Sequence, residues 1–183
     1  MFIQTEATPN PATLKFLPGC DVMGTGTANF TGPEQANRSP LALRLFAIDG
    51  VTGVFLGQDF ITVTKMGARD WDVLKPQILA AIMDHFTAGD AVMLESAVGD
   101  AATVGEDDEI SAQIKELLET RVRPAVAQDG GDIIFCGFED GIVYLHMQGS
   151  CSGCPSSTAT LKHGIENMLR YYIPEVVEVR PVE

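Results

Sequence analysis

Phe2–Glu6 and Ala12–Phe16 read as strands on either side of the turn Thr8-Pro9-Asn10-Pro11, which no helix or ladder could continue through. Ser39-Pro40 supplies a helix N-cap followed by proline at the first helical position, and predicts a helix through about Ile48. Val51–Leu56 and Phe60–Lys65 are β-rich runs separated by Gly57-Gln58-Asp59, the pattern of a hairpin. Ile78, Leu79, Ile82, Met83 and Phe86 recur at helical spacing, so a helix is predicted from about Trp71 to Phe86, kinked or restarted at Pro76. The first half therefore reads β-β-α-β-β-α, a small α+β domain over residues 1–88.

In residues 109–183 the apolar positions Ile110, Ile114, Leu117 and Leu118 mark an amphipathic helix. It is expected to bend at Pro124 and end near Asp129-Gly130-Gly131. Asp132–Phe138 and Ile142–Gln148 are strands around a Glu139-Asp140-Gly141 turn. After the loop Gly149–Cys154, Pro155 opens a helix whose buried stripe is Leu161, Ile165, Met168, Leu169 and Tyr172. Pro174 ends it, and Val176–Val179 is a last short strand. The order α-β-β-α-β makes a second small α+β domain, without a repeat of the first.

Residues 89–108 lack both periodicities and are rich in Ala, Gly, Asp and Val, so a flexible acidic linker is predicted there. Residues 96–110 hold five acidic and no basic side chains, within a chain of net charge −13. Such a field repels nucleic acid and disfavours anionic membrane surfaces. No apolar run approaches the ~20 residues of a membrane span. The first residues, Met1-Phe2-Ile3-Gln4-Thr5-Glu6, have neither a basic region nor an Arg-rich amphipathic leader, which predicts a cytoplasmic protein of bacterial type. Cys20, Cys136, Cys151 and Cys154 are too few for a disulfide framework and fit a reducing compartment.

The chemistry concentrates in Cys151-Ser152-Gly153-Cys154. Thiolates are the metal ligands and nucleophiles among these groups, and they form more readily near positive potential. Cys154 immediately precedes the expected helix start at Pro155, where free N–H groups and the positive dipole end lower a thiol pKa. Two intervening residues let both sulfurs face one ion, and Ser156, Ser157 and Thr158 could hydrogen-bond them. One such pair supplies two ligands where zinc or an iron–sulfur cluster wants four. Cys136 in a strand and Cys20 beside a Pro-Gly turn read as structural, so two chains across a two-fold axis are the simpler route to four. A thiol–disulfide oxidoreductase using the same pair stays open, as does a zinc-stabilised dimer. The redox motif normally follows the strand of a βαβ unit, whereas the preceding strands here read as an antiparallel hairpin.

Residues 129–179 resemble the C-terminal NifU domain of Nfu-type iron–sulfur cluster carriers. The landmarks are Asp129-Gly130-Gly131-Asp132, Asp140-Gly141, Gly149-Ser150-Cys151-Ser152-Gly153-Cys154-Pro155-Ser156-Ser157, Thr160-Leu161, Gly164-Ile165-Glu166 and Pro174-Glu175-Val176. Residues 1–87 resemble the N-terminal domain of the same carriers through Phe2–Glu6, Thr8–Phe16, Phe60–Lys65, Trp71 and Leu74-Lys75-Pro76. The resemblance implies a scaffold or carrier, not an enzyme. Such a protein holds a labile [4Fe-4S] cluster, with [2Fe-2S] as the alternative, between the subunits of a homodimer. Its implied ligands are Cys151 and Cys154 of each chain, its donor an upstream assembly scaffold, and its acceptors apo iron–sulfur proteins.

Other features carry no function. His85, His146 and His163 read as structural or solvated, with His85 suited to the negative end of its helix. Gly24-Thr25-Gly26-Thr27-Ala28-Asn29 lacks the third glycine of a dinucleotide loop, and Trp71 reads as a core or cap contact. There is no Ser/His/Asp nucleophile set.

Overall fold

Alternating β-rich and helical segments assemble in the computed structural model into two α+β units, over residues 1–100 and 101–183, each taken here by itself. The structure describes residues 1–94, 109–152 and 155–182, the side chains of 155–157 excepted. The linker expected over 89–108 thus falls largely outside the described residues. Its described beginning is fastened to the first unit: Ser39 Oγ donates to the Val92 carbonyl at 2.6 Å, Leu94 N to the Arg38 carbonyl at 2.9 Å, and Arg44 meets Asp90 at 2.7 Å.

The first unit runs β1 Gln4–Ala7, β2 Thr13–Leu17, β3 Ala28–Phe30, α1 Pro40–Phe46, β4 Val51–Leu56, β5 Ile61–Lys65 and α2 Trp71–Ala88. Its antiparallel sheet has the order β1-β2-β5-β4-β3. Phe16, Phe30, Leu56, Ile61 and Val63 pack with Leu41, Leu45, Leu74, Ile78 and Ile82 of the two helices. Ser39 caps α1 as its position suggests, its hydroxyl accepting from Ala42 N at 3.1 Å. The strand β3 adds to the expected order. Three residues are too short for a period-two pattern, and what fixes them is pairing with β4 and full burial of Phe30, which contributes about 2–3 kcal/mol. Pro76 lies inside α2 without ending it, because Leu74, Ile78 and Ile82 anchor both sides of the missing N–H. Met83 is exposed, not on the buried face as expected.

His85 takes that inward position instead. It is fully buried against Phe86, and neither ring nitrogen has a hydrogen-bond partner among the described residues. Burial, and then the Arg44 charge, lower its pKa, while Asp90 opposes them. A neutral core imidazole replaces the expected cation at the helix end. Its folded pKa lies below the unfolded value of about 6.5, so the unfolded chain binds the proton first and stability falls as pH drops below that value. In the full chain, the first unit's melting temperature is expected to fall between pH 7 and pH 5.5, as calorimetry would read. His85→Phe should flatten that dependence; an unchanged slope would remove His85 as its source.

The second unit runs α3 Glu109–Leu117, a π-turn Leu118–Val122, α4 Arg123–Gln128, β6 Gly131–Glu139, β7 Ile142–Gly149, α5 Pro155–Tyr172 and β8 Glu178–Val182. The π-turn falls where the sequence predicts a bend. Pro124 cannot donate to the carbonyl of Thr120 and its ring crowds that turn, and the widened turn lets Arg123 N reach the Leu118 carbonyl. Asp140 and Gly141 have φ of 50° and 80°, the two positive values of a two-residue hairpin turn. The sheet order is β6-β7-β8, with β6 antiparallel and β8 parallel to β7. Ile114, Leu118, Val126, Val143, Leu145, Ile165 and Leu169 form the core. No helix among the described residues is long and apolar enough to cross a membrane.

Candidate metal centre

The register of β6 and β7 sets the site. Gly131 pairs with Gly149 at the end of the ladder, and the chain then turns through Ser150 and Cys151 toward α5. Gly149 has φ of 64° and Gly130 φ of 79°, conformations that glycine adopts without strain. Ser150 is buried and ties the loop to the Asp129–Gly130 turn. Its N–H donates to the Gly130 carbonyl at 3.2 Å and its hydroxyl to the Asp129 carbonyl. Thr158, on the first turns of α5, donates to the Cys151 carbonyl at 3.2 Å. That hydroxyl was expected to serve a sulfur; it holds the backbone of the Cys151 loop instead. The side chains of Ser156 and Ser157 lie outside the described residues.

Behind the loop, Arg123 of α4 grips Asp132 of β6 with two parallel bonds, Nε to Oδ1 and Nη2 to Oδ2, both 2.8 Å. Asp132 Oδ1 also accepts from Ile133 N at 2.8 Å. This clamp fixes the start of β6, the residue next to Gly131.

Cys151 is only 6% exposed. Burial pushes its thiol up to about 11, with Asp129 and Asp132 adding to the effect and a hydrogen bond with Ser150 opposing it. The positive potential read from the sequence belongs to the helix start at Cys154, which lies outside the described residues. Cys151 sits at the strand end beside two carboxylates, where desolvation dominates. At neutral pH that shift favours the protonated form of Cys151.

Cys136 is the bulge residue of β6, between Phe135 and Gly137. It is exposed, with its thiol pKa raised chiefly by partial burial. Counting from Gly131, it lies five residues along β6, roughly 16 Å at ~3.3 Å per residue, so one ion cannot take both Cys136 and Cys151. Cys20 is an exposed thiol of the first unit, raised by burial and by Asp21. No group of three or more His, Cys, Asp and Glu side chains able to hold a metal occurs among the described residues.

Because β8 pairs in parallel with β7 across α5, the Cys151 loop does follow a strand of a βαβ unit. The antiparallel hairpin before it therefore does not separate this site from dithiol redox proteins. The signal was missed because a hairpin reads locally, whereas a parallel crossover depends on where residues 178–182 return.

Residues 3–89 match the family described as Scaffold protein Nfu/NifU N terminal, and residues 114–180 the NifU-like domain. The human protein named NFU1 iron-sulfur cluster scaffold homolog, mitochondrial, is 57% identical over all of this chain and 72% of its own length. NifU-like protein 4, mitochondrial, of Arabidopsis thaliana is 56% identical over 96% of this chain and 64% of its own. A solution structure of a NifU-like protein from Saccharomyces cerevisiae is 27% identical over 52% of this chain and 86% of its own, with a TM-score of 0.47. The expected cytoplasmic location is overturned by these relatives, whose names place them in the mitochondrion. That expectation rested on residues 1–6, and where this sequence begins says nothing of a leader.

Proposed function

Because this chain belongs to the Nfu/NifU family of iron–sulfur cluster scaffolds, we propose that two copies of it hold a [4Fe-4S] cluster through Cys151 and Cys154 of each and pass it to apo-proteins. The observation that carries this reading is the β6–β7 register, which keeps Cys136 far from Cys151. The second unit then offers one ion the loop's own two thiols, and a second copy completes four. Four thiolates from two surface loops come apart when the dimer does, so an acceptor's thiolates can replace them one at a time. An upstream assembly scaffold is the donor in this scheme.

Transfer is tested by mixing the loaded chain with an apo-protein of the [4Fe-4S] class and an iron chelator. The acceptor is expected to gain its cluster faster than from free iron and sulfide. A cluster retained on this chain, or captured by the chelator, would contradict the carrier role. Cys136→Ser is expected to leave iron and sulfide content unchanged, and equal loss from that variant would sink the two-loop site.

A further inference from the structure

A ligand shared with another chain has to reach the surface, yet Cys151 is buried. The cause is local. A Cβ on Gly131 would stand 2.5 Å from Cys151 Sγ, 2.8 Å from the Gln148 carbonyl oxygen and 3.2 Å from Cys151 N. The thiol thus occupies the space that a side chain at 131 would fill, and two of the three close atoms are backbone. A Cβ on Gly137, further along the same strand, would meet nothing within 4 Å. Ser150 fastens the loop over this seat through the Gly130 and Asp129 carbonyls.

We propose that Gly131 is a positioning residue for the ligand loop: its missing side chain forms a seat that holds the Cys151 thiol in the strand end while no cluster is bound. The proposal rests on the reading of Cys151 as a ligand. Loading then requires the thiol to leave the seat, and the empty scaffold keeps it away from oxidants. Even the smallest side chain at 131 displaces the sulfur and the loop backbone together.

The test uses the full chain with Cys20, Cys136 and Cys154 replaced by serine, so that only Cys151 reacts with iodoacetamide at one fixed pH. Alkylation of a seated thiol waits on local opening, so Gly131→Ala is expected to label at least about tenfold faster than its parent. Gly137→Ala should label at the parent rate. Circular dichroism and thermal melting establish that each variant is folded. Should Gly131→Ala not fold, Ser150→Ala removes the tie to Asp129 and is expected to speed labelling in its place. A parent-like rate in the folded variant, or equal acceleration by Gly137→Ala, overturns the seat. Iron content of the chain with its other cysteines intact, with and without Cys151→Ser, separates the two failures. Iron unaffected by Cys151→Ser removes the ligand role, whatever the labelling rates show.

Discussion

Cys151→Ser and Cys154→Ser are each expected to abolish stable cluster binding, with both units still folded. In the proposed site each chain contributes two of four thiolates, so one substitution removes two ligands from every dimer, one from each side. A serine hydroxyl is a harder and far less acidic ligand than a thiol, and the cluster needs the thiolates. The cost to the fold is small by comparison. Cys151 is buried, but its loop is held by Ser150 and Thr158 through backbone carbonyls, which the substitution leaves intact. Exchanging S–H for O–H at that place costs about 1–2 kcal/mol if the hydroxyl finds an incomplete set of partners. Iron and sulfide assays after anaerobic reconstitution, with a thermal melt beside them, separate loss of ligand from loss of fold. Full iron content in either variant would mean that the ligands lie elsewhere.

Arg123→Ala should destabilise the second unit more than any surface substitution in it. The Asp132 side chain is 5% exposed, and Arg123 meets it with two charge-assisted bonds of 2.8 Å. Removing the guanidinium leaves a buried carboxylate that has lost its charged partner while still accepting from the Ile133 N–H. Breaking a buried pair commonly costs ~3–5 kcal/mol, and since the Arg123 side chain is 36% exposed to screening water, about 2 kcal/mol is the expected loss. For a unit of this size that lowers the melting temperature by roughly 10 °C. Arg123→Lys should fall between, since an ammonium cannot make both parallel bonds. A melt within a degree or two of the parent would show that the clamp adds nothing.

Much of the fold was legible because its signals are local. Ser39-Pro40 at α1, Asp140-Gly141 between β6 and β7, and Ile165 and Leu169 of the α5 stripe each follow from residues within a turn or two of one another, whereas Tyr172, expected in that stripe, is exposed at the end of the helix. The misses all depend on distant partners. β3 exists by pairing with β4, and the parallel β7–β8 pair exists because the chain returns after α5. His85 rather than Met83 faces inward, although both lie in the last turns of the same helix. At the site, the loop and its two cysteines stand out by spacing, whereas the burial of Cys151 does not. It arises from Gly131, twenty residues earlier, brought alongside by a ladder that runs its whole length to Gly149.

The most direct measurement is anaerobic reconstitution of the full chain with iron and sulfide, followed by iron and sulfide assays and analytical ultracentrifugation on the same sample. A brown dimer with about four irons and four sulfides per two chains is the expected result for four thiolates around one cluster. A colourless monomer, or a cluster carried in full by a single chain, would contradict a site shared between two copies.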